Sequence, residues 1–141
     1  MTNAINVTVT DLDEQAKAEA LAAYLECEVE EAANMIEDGD WRVMTDDEAD
    51  EAVKESILDS AWAFRPSFLA SHSAVADEGV FVAIAANNKD EDNSPVVLKL
   101  LRDVDAFVSD AVSIDGRGHF LSGYDGEEVE LNGGLFAYRC N

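Results

Sequence analysis

Basic residues are scarce in this sequence: nine Lys and Arg stand against 31 Asp and Glu among 141 residues, a formal net charge of −22. A small domain stays soluble with a net charge of about 2 to 8 in magnitude, so this excess goes beyond what solubility requires. Charge of one sign repels itself within the folded chain and attracts partners of the opposite sign. Nucleic acids and membrane surfaces are both polyanionic, so we expect no direct binding to either.

Cysteine and long apolar runs are also scarce. Cys27 and Cys140 lie far apart without a CxxC pair, so we expect neither a zinc site nor a disulfide framework. The longest apolar run, residues 80–86, is too short to span a bilayer. The first residues lack the basic patch and apolar stretch of a secretory signal, which predicts a cytoplasmic protein. We expect no cofactor.

The apolar content is that of a globular protein. Hydrophobic residues make up 48% of the chain, whereas disordered acidic tails are poor in them. A length of 141 residues predicts one domain, residues 1–141, that buries its own core. The acids are concentrated early, with 18 acids and 3 bases in residues 1–60. We therefore expect an acidic surface around an ordinary core.

Periodicity predicts two helices in the first 40 residues. A short strand is expected at residues 5–9, and Thr10 is placed to cap a helix that begins at Asp11. The apolar face of this first helix is predicted to comprise Leu12, Ala16, Ala20, Ala23, Tyr24 and Cys27. The second helix is predicted to bury Val29, Ala32, Ala33 and Ile36, and to end at residues 38–40, where Asp-Gly-Asp breaks the chain.

The third helix has the clearest signals. Thr45 and Glu48 form the pattern of a capping box directly after a strand at residues 41–44. An apolar row continues to Arg65, where Pro66 is expected to end the helix; its members are Ala49, Val53, Ile57, Ala61 and Phe64. Residues 67–71 are expected to add a short helical turn.

The second half of the chain is less regular. Residues 74–86 fit a strand or a helix, because the run 80–86 is apolar on every face. Residues 87–93 are predicted to form a loop, and a helix is predicted from Ser94 to Gly116. Six of the eight glycines lie in residues 116–141, so this tail is expected to be mostly turns, with a strand at residues 135–139. The predicted fold class is a mainly helical α+β single domain with a small antiparallel sheet, built from residues 41–44, 135–139 and 5–9.

Carboxylates recur along the third helix at a spacing of four residues. Asp47, Glu51, Glu55 and Asp59, here called the carboxylate row, are neighbours on one helical surface, although Lys54 lies in the same surface. With Asp46 and Asp50 there are six carboxylates over about 20 Å, close to the spacing of one phosphate per ~3.4 Å of axis in a DNA strand. We predict that these six residues bind a basic partner, supported by four acids of the second helix: Glu26, Glu28, Glu30 and Glu31.

The same acids also fit a surface that has no binding role. A well-solvated helical face needs no partner, and halophilic proteins also have acidic surfaces with few lysines, of which this chain has four. In that case the protein is a structural or adaptor protein whose charge serves solubility and whose contacts are apolar. The calcium-like run at residues 88–93 lacks the glycine and the closing glutamate of an EF-hand loop, so no metal site is predicted.

Residues 115–128 gather the best local candidates for catalysis. His119 and Ser122 lie in this glycine-rich stretch with several acids, but no dinucleotide-binding loop or nucleophile elbow accompanies them. The simpler interpretation is that His119 and Arg117 bond turn carbonyls or pair with nearby acids. We therefore predict no catalytic residue.

Two stretches resemble a known group of proteins. They are residues 46–69, from Asp46-Asp-Glu-Ala-Asp-Glu-Ala to Ala61-Trp-Ala-Phe-Arg-Pro-Ser-Phe-Leu69, and residues 115–139, from Asp115-Gly-Arg-Gly-His to Phe136-Ala-Tyr-Arg139. They are similar to small acidic proteins of unassigned function encoded by bacteriophages and other mobile elements. The resemblance implies a mobile-element origin and location in the host cytoplasm, a setting in which small acidic proteins often inhibit restriction or CRISPR systems.

These considerations together predict a noncatalytic inhibitor. Its partner would be a basic host defence protein that binds nucleic acid, such as a CRISPR effector or a restriction enzyme. The acidic surface would act as a DNA mimic, which makes the protein an anti-CRISPR or antirestriction candidate.

Overall fold

A computed structural model describes residues 9–87 and 93–141. The chain divides into two compact units, one comprising residues 1–50 and 117–141 and the other residues 51–116. The described residues are mainly helical and include one small antiparallel sheet, which confirms the predicted α+β fold class. That residues 1–141 form a single domain stays a prediction.

The first unit contains the sheet. Its described helices are α1 (Val9–Leu25), α2 (Val29–Glu37) and α8 (Arg117–Leu121), and its strands are β1 (Trp41–Thr45), β2 (Val129–Leu131) and β3 (Leu135–Arg139). Helix α3 (Asp46–Asp59) begins in this unit and continues into the second. The second unit also holds a 3-10 turn (Ala61–Ala63) and helices α4 (Pro66–Ser71), α5 (Glu78–Asn87), α6 (Ser94–Leu100) and α7 (Val104–Asp115).

The sheet has the strand order β1-β3-β2, and both pairs are antiparallel. Trp41 lies opposite Arg139, which confirms the predicted pairing of the first and last strands. The tight β2–β3 turn requires positive φ, and Gly133 and Gly134 adopt φ of +80° and +72°. The prediction of a strand at residues 5–9 is wrong at Val9, which begins α1, and residues 5–8 lie outside the described part.

Helices α1 and α2 pack on this sheet, but α1 presents a different face from the predicted one. Leu21 is fully buried with Ala18 and Ala22, whereas the predicted core residues Ala16 and Ala23 are exposed. Alanines occur on two opposite sides of α1, so their spacing alone does not say which side is buried. The structure buries the side that carries Leu21. On α2 the buried position is Ala32, while Val29 and Ala33 are exposed.

Helix α3 begins as predicted and ends early. The Thr45 amide donates to Glu48 Oε1 at 2.9 Å and the Glu48 amide donates to Thr45 Oγ1 at 3.1 Å, which confirms the capping box. The helix ends at Asp59 rather than Arg65. There the buried Ser94 hydroxyl donates to the Asp59 carbonyl at 2.9 Å and accepts the Trp62 amide at 3.3 Å, which stabilises the non-helical path.

The core of the second unit includes Val53, Ile57, Phe81 and Phe107, each at most 2% exposed. The ambiguous residues 74–86 contain a helix, α5, and no strand.

The single helix predicted from Ser94 to Gly116 is two helices, α6 and α7. Asp103 caps α7 by accepting the Ala106 amide at 3.2 Å, and the Ser73 hydroxyl donates to the Leu100 carbonyl at 2.6 Å. These two bonds satisfy backbone groups at the break, so the chain leaves the helical path there.

Candidate functional site

The carboxylate row lies on one side of α3. Its four members are exposed, whereas Ala49, Val53 and Ile57 on the opposite side of the helix are buried. Among the residues that the structure describes, no side chain donates a hydrogen bond to these four carboxylates or forms an ion pair with them. At 1.5 Å per residue the row extends over about 18 Å. The four charges are therefore available to an external cation.

Asp46 and Asp50, predicted to extend the row, are held by Arg117 of α8. Arg117 Nη1 lies 2.8 Å from Asp46 Oδ1 and 2.9 Å from Asp50 Oδ1, and its Nε lies 2.7 Å from Glu128 Oε1. The guanidinium also lies 4.8 Å from the centre of the Phe136 ring, within the range of a cation–π contact. The charges of Asp46 and Asp50 are therefore partly neutralised within the molecule.

The surroundings of Arg117 keep its guanidinium protonated. Its side chain is only 11% exposed. Burial on its own would lower the pKa of Arg117, but hydrogen bonds to Glu128, Asp46 and Asp50 raise that pKa above its usual range. Three carboxylates against one guanidinium leave a local net charge of −2, so this cluster is still acidic.

Tyr138 holds Glu128 in place beside Arg117. It is fully buried and its hydroxyl donates to Glu128 Oε1, the atom that also accepts from Arg117 Nε. Burial and the bond to Glu128 both raise the pKa of Tyr138 above its usual range, so the hydroxyl stays protonated and keeps donating. Glu128 is thus fixed between a strand residue and the Arg117 guanidinium.

Two lysines, Lys17 of α1 and Lys54 of α3, also form ion pairs within the molecule. The buried Lys17 places its ammonium 3.0 Å from Glu48 Oε1, and hydrogen bonds from Thr45 and then Lys17 hold the pKa of Glu48 below its usual value. Lys54, expected to weaken the carboxylate row, instead lies 3.4 Å from Asp105 Oδ1.

The supporting acids lie around the junction of α1 and α2. Glu26 adopts a left-handed conformation with φ of 56° just after α1, and Glu28 precedes the first residue of α2. Glu30 and Glu31 occupy the first turn of α2, where the helix dipole favours negative charge. All four side chains are exposed, as a binding role requires.

The catalytic candidates around His119 are not assembled into a recognisable site. His119 is exposed and its ring contacts Phe120 at 4.9 Å between centroids. The Ser122 hydroxyl lies 2.6 Å from the Arg139 carbonyl oxygen and 2.8 Å from Asp125 Oδ1, a turn-stabilising arrangement. Bonds from the Glu127 amide and the Ser122 hydroxyl lower the pKa of Asp125. Ser122 therefore serves the turn.

One cluster has the composition of a cation site. Carboxylate oxygens of Asp46, Asp47 and Asp50 lie within 4.8 Å of one another. Two of these three carboxylates, Asp46 and Asp50, already bind the Arg117 guanidinium. The calcium-like run at residues 88–93 lies almost wholly outside the described residues.

Arg117 is the residue near the candidate site whose contacts the sequence predicted only in part. Pairing with nearby acids was predicted and Glu128 fits it, but Asp46 and Asp50 are 71 and 67 residues away in the chain. Contacts between residues so far apart in the chain leave no pattern in the local sequence.

Comparison with known proteins adds no assignment. No protein-family model, no curated protein and no solved structure matches the chain. A search of the described residues finds no helix with the length and apolarity needed to cross a membrane.

Proposed function

We propose that the protein is a noncatalytic inhibitor that binds a basic, nucleic-acid-binding host protein through the carboxylate row of α3. The row is exposed and unpaired among the described residues, which is the observation that carries the proposal. A row of fixed carboxylates on a helix offers a cationic groove the kind of charge that a phosphate backbone offers.

The Arg117 contact supports a partner that presents guanidinium groups. Asp46 and Asp50 are four residues apart on α3 and bind one Arg117 nitrogen at 2.8 and 2.9 Å. The same spacing recurs three times in the row, between Asp47 and Glu51, Glu51 and Glu55, and Glu55 and Asp59. Arginine is enriched in proteins that bind phosphate, because its planar fork bonds two oxygens at once.

In the structure, fewer carboxylates per length of helix are available to a partner than the sequence predicted. With Asp46 and Asp50 engaged by Arg117, the free row carries one carboxylate per ~6 Å, compared with one phosphate per ~3.4 Å along a DNA strand. The proposed contact is therefore sparser than a DNA strand and suits a few well-placed arginines. The acids at residues 26–31 would add long-range attraction.

The identity of the partner class rests on the resemblance to proteins of mobile elements. A protein from such an element gains most by blocking a restriction enzyme or a CRISPR effector, both of which hold DNA in basic channels. A DNA mimic that is itself polyanionic would bind those channels without binding nucleic acid.

The proposal is tested by affinity capture from a bacterial lysate with the full chain as bait. We expect the wild-type protein to retain a basic nucleic-acid-binding protein at low salt, to release it at about 0.5 M salt and to release it when duplex DNA is added. A variant with Asp47→Asn, Glu51→Gln, Glu55→Gln and Asp59→Asn should lose that protein.

A matched control changes the same number of charges elsewhere. Asp13→Asn, Glu19→Gln, Asp115→Asn and Glu130→Gln alter exposed acids that lie outside the row. The control variant should retain the partner as the wild type does. Equal retention by the row variant and the control would reject the row as the contact surface and favour the interpretation in which the acids serve solubility.

A further inference from the structure

Four acidic or amide side chains in the sequence stand directly before a glycine: Asp38, Asp115, Asp125 and Asn132. At such a pair the backbone nitrogen of the glycine can attack the carbonyl of the preceding side chain, because glycine has no Cβ to obstruct the approach. Attack on an asparagine expels ammonia and finally leaves a carboxylate, so the chain gains a negative charge. Attack on an aspartate rearranges the backbone and leaves the charge unchanged.

Two of these pairs lie at helix ends. The Gly39 amide, just after α2, donates to the Ile36 carbonyl at 3.1 Å. The Gly116 amide, just after α7, donates to the Val112 carbonyl at 2.7 Å. The nitrogen must lose its proton before it attacks, and a hydrogen bond from that N–H group opposes the loss. The structure therefore disfavours reaction at both pairs.

The third pair is held through its side chain. Asp125 Oδ1 accepts the Glu127 amide at 3.0 Å and lies 2.8 Å from the Ser122 hydroxyl oxygen. These contacts fix the carboxylate within its turn. A fixed, negatively charged carboxylate is a poorer target for a nitrogen nucleophile than a neutral amide that is free to rotate.

Asn132 differs from all three aspartates. It is exposed in the turn between β2 and β3, and in the part of the chain that the structure describes no hydrogen bond engages its side chain or the Gly133 amide. A Cβ placed on Gly133 would meet no atom within 4 Å, so the space beside the backbone is open to water. This pair combines a neutral amide, an unbonded nitrogen and access for solvent.

We propose that Asn132 is a site of spontaneous deamidation in the folded protein. The Gly133 nitrogen loses its proton to hydroxide and bonds to Asn132 Cγ, while the Cγ–Nδ2 bond breaks and ammonia leaves. Water then opens the resulting succinimide at either of its two carbonyls. One opening gives aspartate, and the other gives isoaspartate, in which the main chain runs through the former side chain. The sequence of steps consumes one water, releases one ammonia and involves no oxidation or reduction.

The product differs from the original chain in charge and in backbone. A neutral amide becomes a carboxylate, so a chain whose net charge is already −22 becomes more negative. Isoaspartate also adds a carbon to the backbone of the β2–β3 turn, between Leu131 and Leu135, which are buried and paired with each other. Both changes can be measured on the full chain.

The test incubates the full chain in warm, mildly alkaline buffer and follows the tryptic peptide of residues 118–139 by mass spectrometry. Asn132 is the only asparagine in this peptide, which has no glutamine, so a gain in mass from NH₂ to OH reports on this residue alone. We expect that gain, together with transfer of a methyl group to the peptide by isoaspartyl methyltransferase. Fragmentation should place the isoaspartate at Asn132 rather than at Asp125.

Two variants provide the controls. Asn132→Gln should abolish the change, because glutamine would have to close a larger ring that forms far more slowly. Asn34→Gln alters another exposed asparagine, but the amide that follows Asn34 lies inside α2, so this variant should react at Asn132 as the wild type does. Both substitutions are at exposed positions, so both variants should fold.

Three results would overturn this proposal. An unchanged mass of peptide 118–139 in the folded protein would show that the turn protects Asn132, whatever happens after unfolding in urea. The same mass gain in Asn132→Gln would show that another group reacts. Isoaspartate at Asp38 or Asp115 that forms as fast as at Asn132 would show that the hydrogen bonds at the helix ends do not select the site.

Discussion

At the scale of single residues, Arg117 connects several parts of the first unit. Its guanidinium joins Asp46 and Asp50 of α3 to Glu128, and it packs over Phe136. It thereby orients the first turn of α3, from which the carboxylate row continues. The row itself was predictable, because a spacing of four residues is visible in the sequence. The engagement of Asp46 and Asp50 by Arg117 was not predictable, since these contacts join residues 71 and 67 positions apart in the chain.

Gly118, next to Arg117, allows the close approach that this arrangement needs. A Cβ at this position would lie 2.5 Å from the Gly126 carbonyl oxygen and 2.6 Å from the Glu127 carbonyl carbon. We expect Gly118→Ala to lower the free energy of unfolding by about 3 kcal/mol, because the methyl group would meet backbone atoms rather than a movable side chain.

Gly123→Ala is the matched control for Gly118→Ala. Its added Cβ would lie 3.6 Å from the Cys140 carbonyl oxygen, an ordinary contact. In urea unfolding the control should change stability by no more than about 0.5 kcal/mol. Similar losses in both variants would contradict the close packing inferred at Gly118.

At the scale of elements, predictions succeeded where the signal was local. The capping box at Thr45 and Glu48, the short helix after Pro66 and the final strand are all written within a few residues. The early end of α3 and the break between α6 and α7 depend instead on Ser94 and Ser73, which reach carbonyls 35 and 27 residues away. Side-chain bonds over such distances leave no periodic trace in the sequence.

The capping box of α3 also gives an element-scale prediction about pH. Bonds from the Thr45 amide and from Lys17 hold the pKa of Glu48 below its ordinary value of 4.5. A lowered pKa in the folded state means that the stabilisation is complete above the unfolded-state pKa and is lost as the pH falls through the folded value. Glu48→Gln should therefore be less stable than wild type at pH 7, by about 0.5 kcal/mol for this half-exposed pair.

In urea unfolding, the difference in stability between wild type and Glu48→Gln should shrink as the pH falls below about 4.5. Glu51→Gln provides the control, because Glu51 is exposed and unpaired among the described residues. It should be neutral or slightly stabilising at pH 7, since it removes like-charge repulsion on α3. A difference in the free energy of unfolding between wild type and Glu48→Gln that does not change with pH would contradict a stabilising role for the Glu48 carboxylate charge.

At the scale of the whole molecule, the main feature is the net charge of −22. Composition alone predicted a globular acidic protein, and the mainly helical α+β class with its β1–β3 pairing is confirmed. Composition does not say which acids are engaged internally. Asp46, Glu48, Asp50, Asp105 and Glu128 have cationic partners, whereas the carboxylate row has none among the described residues. Other exposed acids also lack a cationic partner among the described residues, and what distinguishes the row is its regular spacing along one side of α3.

The most direct test is displacement of DNA from the captured partner. A labelled duplex is bound to the purified partner, and release is measured against wild-type protein, the row variant and the charge-matched control. We predict that wild type and control release the duplex at equal concentrations and that the row variant needs about tenfold more or fails. Release by the row variant at the wild-type concentration would contradict the claim that these four carboxylates stand in for phosphates.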